Sequence, residues 1–189
     1  MFYKLRRRLW RLWPKLNVEY VYSQNLEDIP ERKCRIPVTI FKLSLEDVHR
    51  ILEIRKMPLG KLRSRLKRGD LCYVTEYENK LIAYQWVQFS GEHFIQQAGK
   101  IICVKPGDFW IYHARVLEEF RCKGINSKIK SDLMIEAKNN GYRRALIYTN
   151  KKNIPNRRGL ERLGFELNEI IYSLKINKTY HQVYISIIK

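Results

Sequence analysis

The chain has 189 residues, enough for one domain with a substantial core. An apolar fraction of 45% and an aromatic fraction of 12% exclude a disordered chain. The formal charge of +18 leaves the fold open but predicts attraction to polyanions: nucleic acid, anionic lipid or an acidic protein.

Residues 1–16 carry six basic residues and no acid. On a helix, Phe2, Leu5, Leu9, Leu12, Trp13 and Leu16 share one face, and Lys4, Arg7, Arg8, Arg11 and Lys15 share the other. A basic amphipathic helix with marginal tryptophans suits an anionic membrane surface; docking on its own domain and binding RNA are the competing readings. It is too short and too charged to span a bilayer. No secretory signal, long apolar run or C-x-x-C pair occurs, so the chain reads as cytoplasmic, with the basic segment bringing it to the inner membrane surface. The four histidines are scattered and suggest no metal site.

Residues 17–35 hold an extra strand, Val18–Tyr22, and a Pro-containing connector. Val38–Phe41 reads as a short strand, and Ser44 with Asp47 resembles a capping box opening a helix through Val48, Ile51, Leu52 and Ile54. A basic helix follows over about residues 58–68, its charge read as a solvated face. Leu71–Tyr77 and Leu81–Phe89 form a hairpin, and a further strand covers Lys100–Val104. Tyr84, Trp86, Phe94, Trp110 and Tyr112 either line an acceptor pocket or pack a core.

Asp108–Val116 is rich in aromatic and β-branched residues and reads as a strand. Beyond it Ile125, Ile129, Leu133 and Ala137 recur at helical spacing. A short basic loop therefore joins a strand to a helix N-terminus, where backbone N–H groups and the helix dipole converge on an anion. Gly124 permits a close turn, Asn126 suits a cap, and Arg121, Lys123 and Lys128 add charge. A phosphate or pyrophosphate is the natural guest; an ordinary turn with solvated charges is the bland reading. The helix ends near Gly141, a strand covers Arg144–Thr149, a short helix follows Asn150–Asn156, and 169–175 with 180–187 make a last hairpin.

Arg121-x-x-Gly124-x-Asn126 resembles the Arg/Gln-x-x-Gly-x-Gly/Ala signature of the GNAT superfamily of acyl-CoA N-acyltransferases. Asn153, followed by Gly164-Phe165, is similar to that family's second motif. The resemblance is firm over about residues 108–175 and extends from about residue 36, so that residues 36–189 form the acyltransferase-like domain. It implies an α+β fold whose mainly antiparallel mixed sheet, flanked by helices, splays at a CoA cleft. It implies acetyl-CoA or another acyl-CoA as co-substrate and no metal. Ala114 and Val116 would pair with the pantetheine arm. Arg121, Cys122, Lys123, Gly124, Ile125, Asn126 and Ser127 would hold the pyrophosphate, with Asn153 and Asn156 beyond them. The family has Gly where this chain has Cys122, Gly or Ala where it has Asn126, and often a proton-donating Tyr where it has Leu160.

The implied chemistry moves an acyl group from a thioester to an amine of an unidentified acceptor, which needs a neutral amine, a polarised carbonyl and a proton sink. His113 and Glu118 are the candidate catalytic residues, His113 because its ordinary pKa suits a base. Two other readings remain: an inactive relative serving as a scaffold at membrane or RNA, and an acyltransferase whose donor is an acidic acyl-carrier protein.

Overall fold

Lys15–Asn25 alternates apolar and polar side chains and forms strand β1, whose Val21 and Tyr22 are buried. The computed structural model describes residues 15–176 and 179–187. Of the expected N-terminal helix, residues 1–14 lie outside the described residues, and Lys15 and Leu16 begin β1. Thr39–Lys42 is β2. The expected helix after Ser44 is a 3-10 turn over Asp47–Glu53, with the Ser44 hydroxyl accepting the Asp47 N–H. Its two buried residues, Val48 and Ile51, are three apart, the spacing that stacks on a three-residue turn. Helix α1 is Leu59–Lys67.

Strands β3 (Leu71–Tyr77) and β4 (Lys80–Gln88) form a hairpin whose turn residues Glu78 and Asn79 both have positive φ, matching the twist of a two-residue hairpin loop. Glu92–Ile95 is β5, a four-residue strand that the sequence pattern does not announce, and it pairs with β6, Lys100–Cys103. Asp108–Val116 is β7, Ile125–Asn139 is helix α2, Arg144–Asn150 is β8 and Ile154–Arg162 is helix α3. Glu166–Ile176 is β9 and Thr179–Ile187 is β10.

Eight strands make one sheet in the order β10-β9-β1-β8-β7-β4-β3-β2, antiparallel throughout except for the β7–β8 pair. This is the expected mixed α+β architecture. The N-terminal strand does not sit at an edge but between β8 and β9. One face of the sheet is covered by α2 and α3, which bury Ile125, Ile129, Leu133, Leu160 and Leu163 against Phe109, Ile111, Ala145 and Ile147. The 3-10 turn and α1 cover part of the other face, around Trp86 and Tyr112. There too, Ile95 of β5 packs with Val21, Trp110 and Ile171.

The connector after β1 runs back along α2. Leu26 N–H donates to Arg143 O at 2.9 Å, Ser131 Oγ to Pro30 O at 2.9 Å, and Arg35 N–H to Lys123 O at 3.0 Å. The connector therefore ties β1 to the loop at the start of α2.

Candidate active site

Strands β7 and β8 are paired only from Asp108/Arg144 to Ile111/Ile147. The Arg144 guanidinium holds the Asp108 carboxylate at 2.6 and 3.0 Å at the closed end. Past Ile111 the two strands follow different neighbours. β8 continues along β1 as far as Glu19/Asn150, while β7 continues along β4 as far as Ala83/Val116. His113 and Ala114 together face the single residue Gln85, a β-bulge, and His113 takes φ 50°. Gln85, itself buried, donates to Tyr112 O at 2.7 Å and pins the bulge. The result is an open edge of β7 at 112–116, on which Ala114 and Arg115 are exposed. An unpaired edge offers N–H and C=O groups to an amide-bearing chain.

The basic loop closes the same end. A 3-10 turn over Glu118–Phe120 leads through Arg121, Cys122 and Lys123 to Gly124, which caps α2. Cys122 has φ 61° and Gly124 φ 85°, so the chain turns twice through the left-handed region. A Cβ on Gly124 would stand 3.0 Å from Lys33 O, so this glycine is needed for close approach as well as for its φ. Among the described residues no side chain caps α2, whose first N–H groups point into the loop. At the start of α3, the Asn153 side chain accepts the Asn156 N–H at 3.4 Å, and Pro155 fits the first turn. Asn126 Nδ2 reaches Asn156 Oδ1 at 3.5 Å, so the two helix N-termini lie side by side.

The structure thus gathers most of the residues read from sequence. Arg121, Cys122, Lys123, Gly124, Ile125, Asn126 and Ser127 form one turn, with Asn153 and Asn156 beside it and Ala114 and Val116 on the open edge. Ile125 contributes only backbone, its side chain being buried in the core. Glu118 stands apart: its side chain is 86% exposed and is held by Arg121 at 3.3 Å. Tyr84, Trp86, Trp110 and Tyr112 are core residues, and Phe94 is 56% exposed, pointing outward.

His113 is not free to act as first read. Arg65 Nη1 lies 3.1 Å from His113 Nδ1. A guanidinium only donates, so Nδ1 accepts and, in the neutral ring, Nε2 carries the proton. Burial, helped by Arg65, Arg55 and Lys61, pushes the His113 pKa down to about 4. The imidazole is uncharged at neutral pH and presents an N–H.

Sequence reasoning missed four polar groups on the same face. His93 is buried, stacked on Trp110 at 5.1 Å and edge-on to Tyr112 at 5.0 Å, with Nδ1 on Gln88 Oε1 at 2.9 Å and its pKa pushed down by burial to about 4. Asp70 is held by Arg68 and accepts the Tyr112 hydroxyl. Glu19 is buried on β1, its pKa raised by burial, and receives Asn150 at 2.8 Å and Asn17 at 3.1 Å. Arg65 lies over Trp86 and Tyr112 at 5.1 Å from each ring. The available signal was an acid inside an apolar strand for Glu19, while Arg65 read as one more charge on the basic helix. His93 lay in a segment without strand periodicity.

Buried Lys130 lies one turn along α2 from Asn126, whose Oδ1 accepts its ammonium; burial brings its pKa down to about 7. Leu160, at the position of the family's tyrosine, is 1% exposed and packs in the core under α3.

The sequence profile of the acetyltransferase (GNAT) family matches residues 39–165, and the chain belongs to that family. Solved structures agree on the fold. A putative GNAT-family acetyltransferase from Novosphingobium aromaticivorans superposes with a TM-score of 0.60 at 14% identity, over 84% of this chain and 63% of that one. A GCN5-related N-acetyltransferase from Sphaerobacter thermophilus gives 0.60 at 13%, over 96% and 56%. AAC(6')-Iy, solved with the bisubstrate analogue CoA-S-monomethyl-acetylneamine, gives 0.57 at 16%, over 69% and 92%. The chain therefore spans less than two thirds of the length of the first two. A comparison with curated proteins finds no match in sequence. Among the described residues no helix is long and apolar enough to cross a membrane.

Proposed function

We propose that this chain is an N-acyltransferase that moves an acyl group, acetyl in the simplest case, from acyl-CoA to an amine. The observation that carries this reading is the splay of β7 from β8 beside an uncapped α2 N-terminus in a basic loop. The open β7 edge receives the amide-bearing arm, and the N–H groups of the loop, with Arg121 and Lys123, receive the phosphates.

The amine nitrogen attacks the thioester carbonyl. The C–N bond forms, the C–S bond breaks, the thiolate leaves and the amine proton passes to solvent. His113 serves as a hydrogen-bond donor in this reading, not as the base, because its ring is neutral with Nδ1 occupied. The departing thiolate needs no tyrosine, since a free thiol has a pKa of roughly 8.5. An inactive CoA-binding relative is the second reading, favoured by the missing hydroxyl at Leu160.

The test is incubation with acetyl-CoA and a broad amine panel, read as amine acetylation by mass and as free CoA thiol. Acetylated amine in proportion to released thiol supports the reading. CoA binding without transfer to any amine would favour the inactive relative.

A further inference from the structure

Positive charge gathers where the bulge of β7 faces α1, centred on Arg65. Arg65 touches His113, and Arg55 and Lys61 lie close enough to bear on the same imidazole. Arg115, the first residue after the bulge, bears with Arg55 on the Tyr84 hydroxyl. Among the described residues none of the four is ion-paired with a carboxylate. The nearby acid, Asp70, is already committed to Arg68 and to the Tyr112 hydroxyl.

A second, independent observation is a set of orphaned polar atoms. Gln85 and Trp86 are each at most 1% exposed, and among the described residues Gln85 Oε1 and Trp86 Nε1 have no hydrogen-bond partner. Buried donors and acceptors without partners are uncommon, and each calls for a partner such as an ordered water or a bound group. Both lie on β4 at the bulge, with Trp86 on the face that carries Arg65.

Arg65 is placed for recognition. Its plane is held over Trp86 and Tyr112, and His113 takes one of its five N–H groups, leaving the rest of the fork for an oxyanion. A bare ammonium ion would be repelled from such a corner. An amine whose molecule also carries an anionic group would be attracted, and the surrounding positive potential would then favour the neutral form of its amino group, the form that attacks.

We propose that the acceptor is an amine that also bears a carboxylate or phosphate, and that Arg65, assisted by Arg55 and Lys61, binds this anionic group beside the β7 bulge. This inference rests on the acyl-transfer reading above and narrows its acceptor class.

The experiment measures equilibrium binding of matched amines to the CoA-loaded full chain by calorimetry. Phenylalanine is compared with phenylalanine amide, and phosphoethanolamine with ethanolamine, so that the two arms separate a carboxylate from a phosphate. The anionic member of at least one pair is expected to bind about ten- to a hundredfold more tightly, as one charge-assisted hydrogen-bonded pair contributes. Arg65→Gln should remove that preference, Arg65→Lys should restore part of it, and the exposed Lys61→Gln should reduce it, while the melting shift induced by CoA stays as in the parent. Equal binding within both pairs, no binding by either anionic member, or a preference untouched by both glutamine variants would overturn the proposal and leave acyl transfer standing. No melting shift with CoA in the parent would instead overturn the acyl-transfer reading, and this one with it.

Discussion

Arg65 Nη1 donates to His113 Nδ1 across 3.1 Å, joining α1 to the bulge of β7. The contact fixes the tautomer, since the arginine has no acceptor to offer. Together with burial it makes the histidine a poor base at neutral pH. The pH dependence of kcat/KM for acetyl transfer should therefore show no histidine-like limb near pH 6.5, and His113→Asn should leave the shape of the profile unchanged while lowering its height. A limb near 6.5 that disappears in the variant would make His113 the base after all.

The same depression has a stability consequence. His93 and His113 both have folded pKa values near 4, against about 6.5 in an unfolded chain. Between these values the unfolded chain binds more protons than the folded one, so stability rises with pH there. The contribution is complete above about pH 6.5 and is lost as pH falls toward 4, at most about 3 kcal/mol per histidine. Denaturant titrations from pH 7 to 4.5 should show this loss, and His93→Gln should flatten it. An equally steep loss in the variant would assign it to other groups.

Lys130 gives a second window of the same sign at higher pH. Its folded pKa of about 7 lies below its ordinary 10.5, so the unfolded chain again binds more protons, now between about pH 7 and 10.5. At pH 7 and below, the folded state bears the cost of a buried ammonium whose one side-chain partner among the described residues is Asn126. Lys130→Met should raise stability at pH 7 by about 1–3 kcal/mol and should remove the gain seen in the parent from pH 7 to 9. A destabilised variant would show that the Lys130–Asn126 contact supports the loop by more than its burial costs.

Cys122 stands where the family has glycine and takes φ 61°. A non-glycine residue in this region costs about 1–2 kcal/mol, against roughly 0.5–1 kcal/mol of extra chain entropy when glycine replaces it. Cys122→Gly should therefore raise the melting temperature by a few degrees at most, with CoA binding retained. A fall of several degrees would show that the exposed thiol makes a contact worth more than the strain.

Much of this site was legible in the sequence, because its parts are local. Aromatic and β-branched content marked β7, helical spacing marked α2, and Gly124, Gly141 and Gly164 all proved to have positive φ. What was not legible depends on distant partners. Val18–Tyr22 reads as a strand, but nothing local says that β1 enters the sheet between β8 and β9. The bulge at His113 arises from mismatch with β4, which nothing within β7 itself reveals. The Arg65–His113 contact joins residues 48 apart in sequence, and on α1 alone Arg65 reads as one more solvated charge. Leu160 was visible as a departure from the family, and its burial shows what replaced the hydroxyl: a core contact under α3.

The central claim is that the loop 121–127 at the open end of β7 and β8 holds the phosphates of CoA, and calorimetric titration of CoA into the full chain tests it most directly. Binding should be saturable at one site and weaken as salt rises. At about a hundred times its Kd, CoA should add about 2.7 kcal/mol of stability. The double variant Arg121→Glu, Lys123→Glu should bind at least about tenfold more weakly while melting as the parent does without ligand. No binding by the parent, or equal binding by parent and double variant, would contradict it.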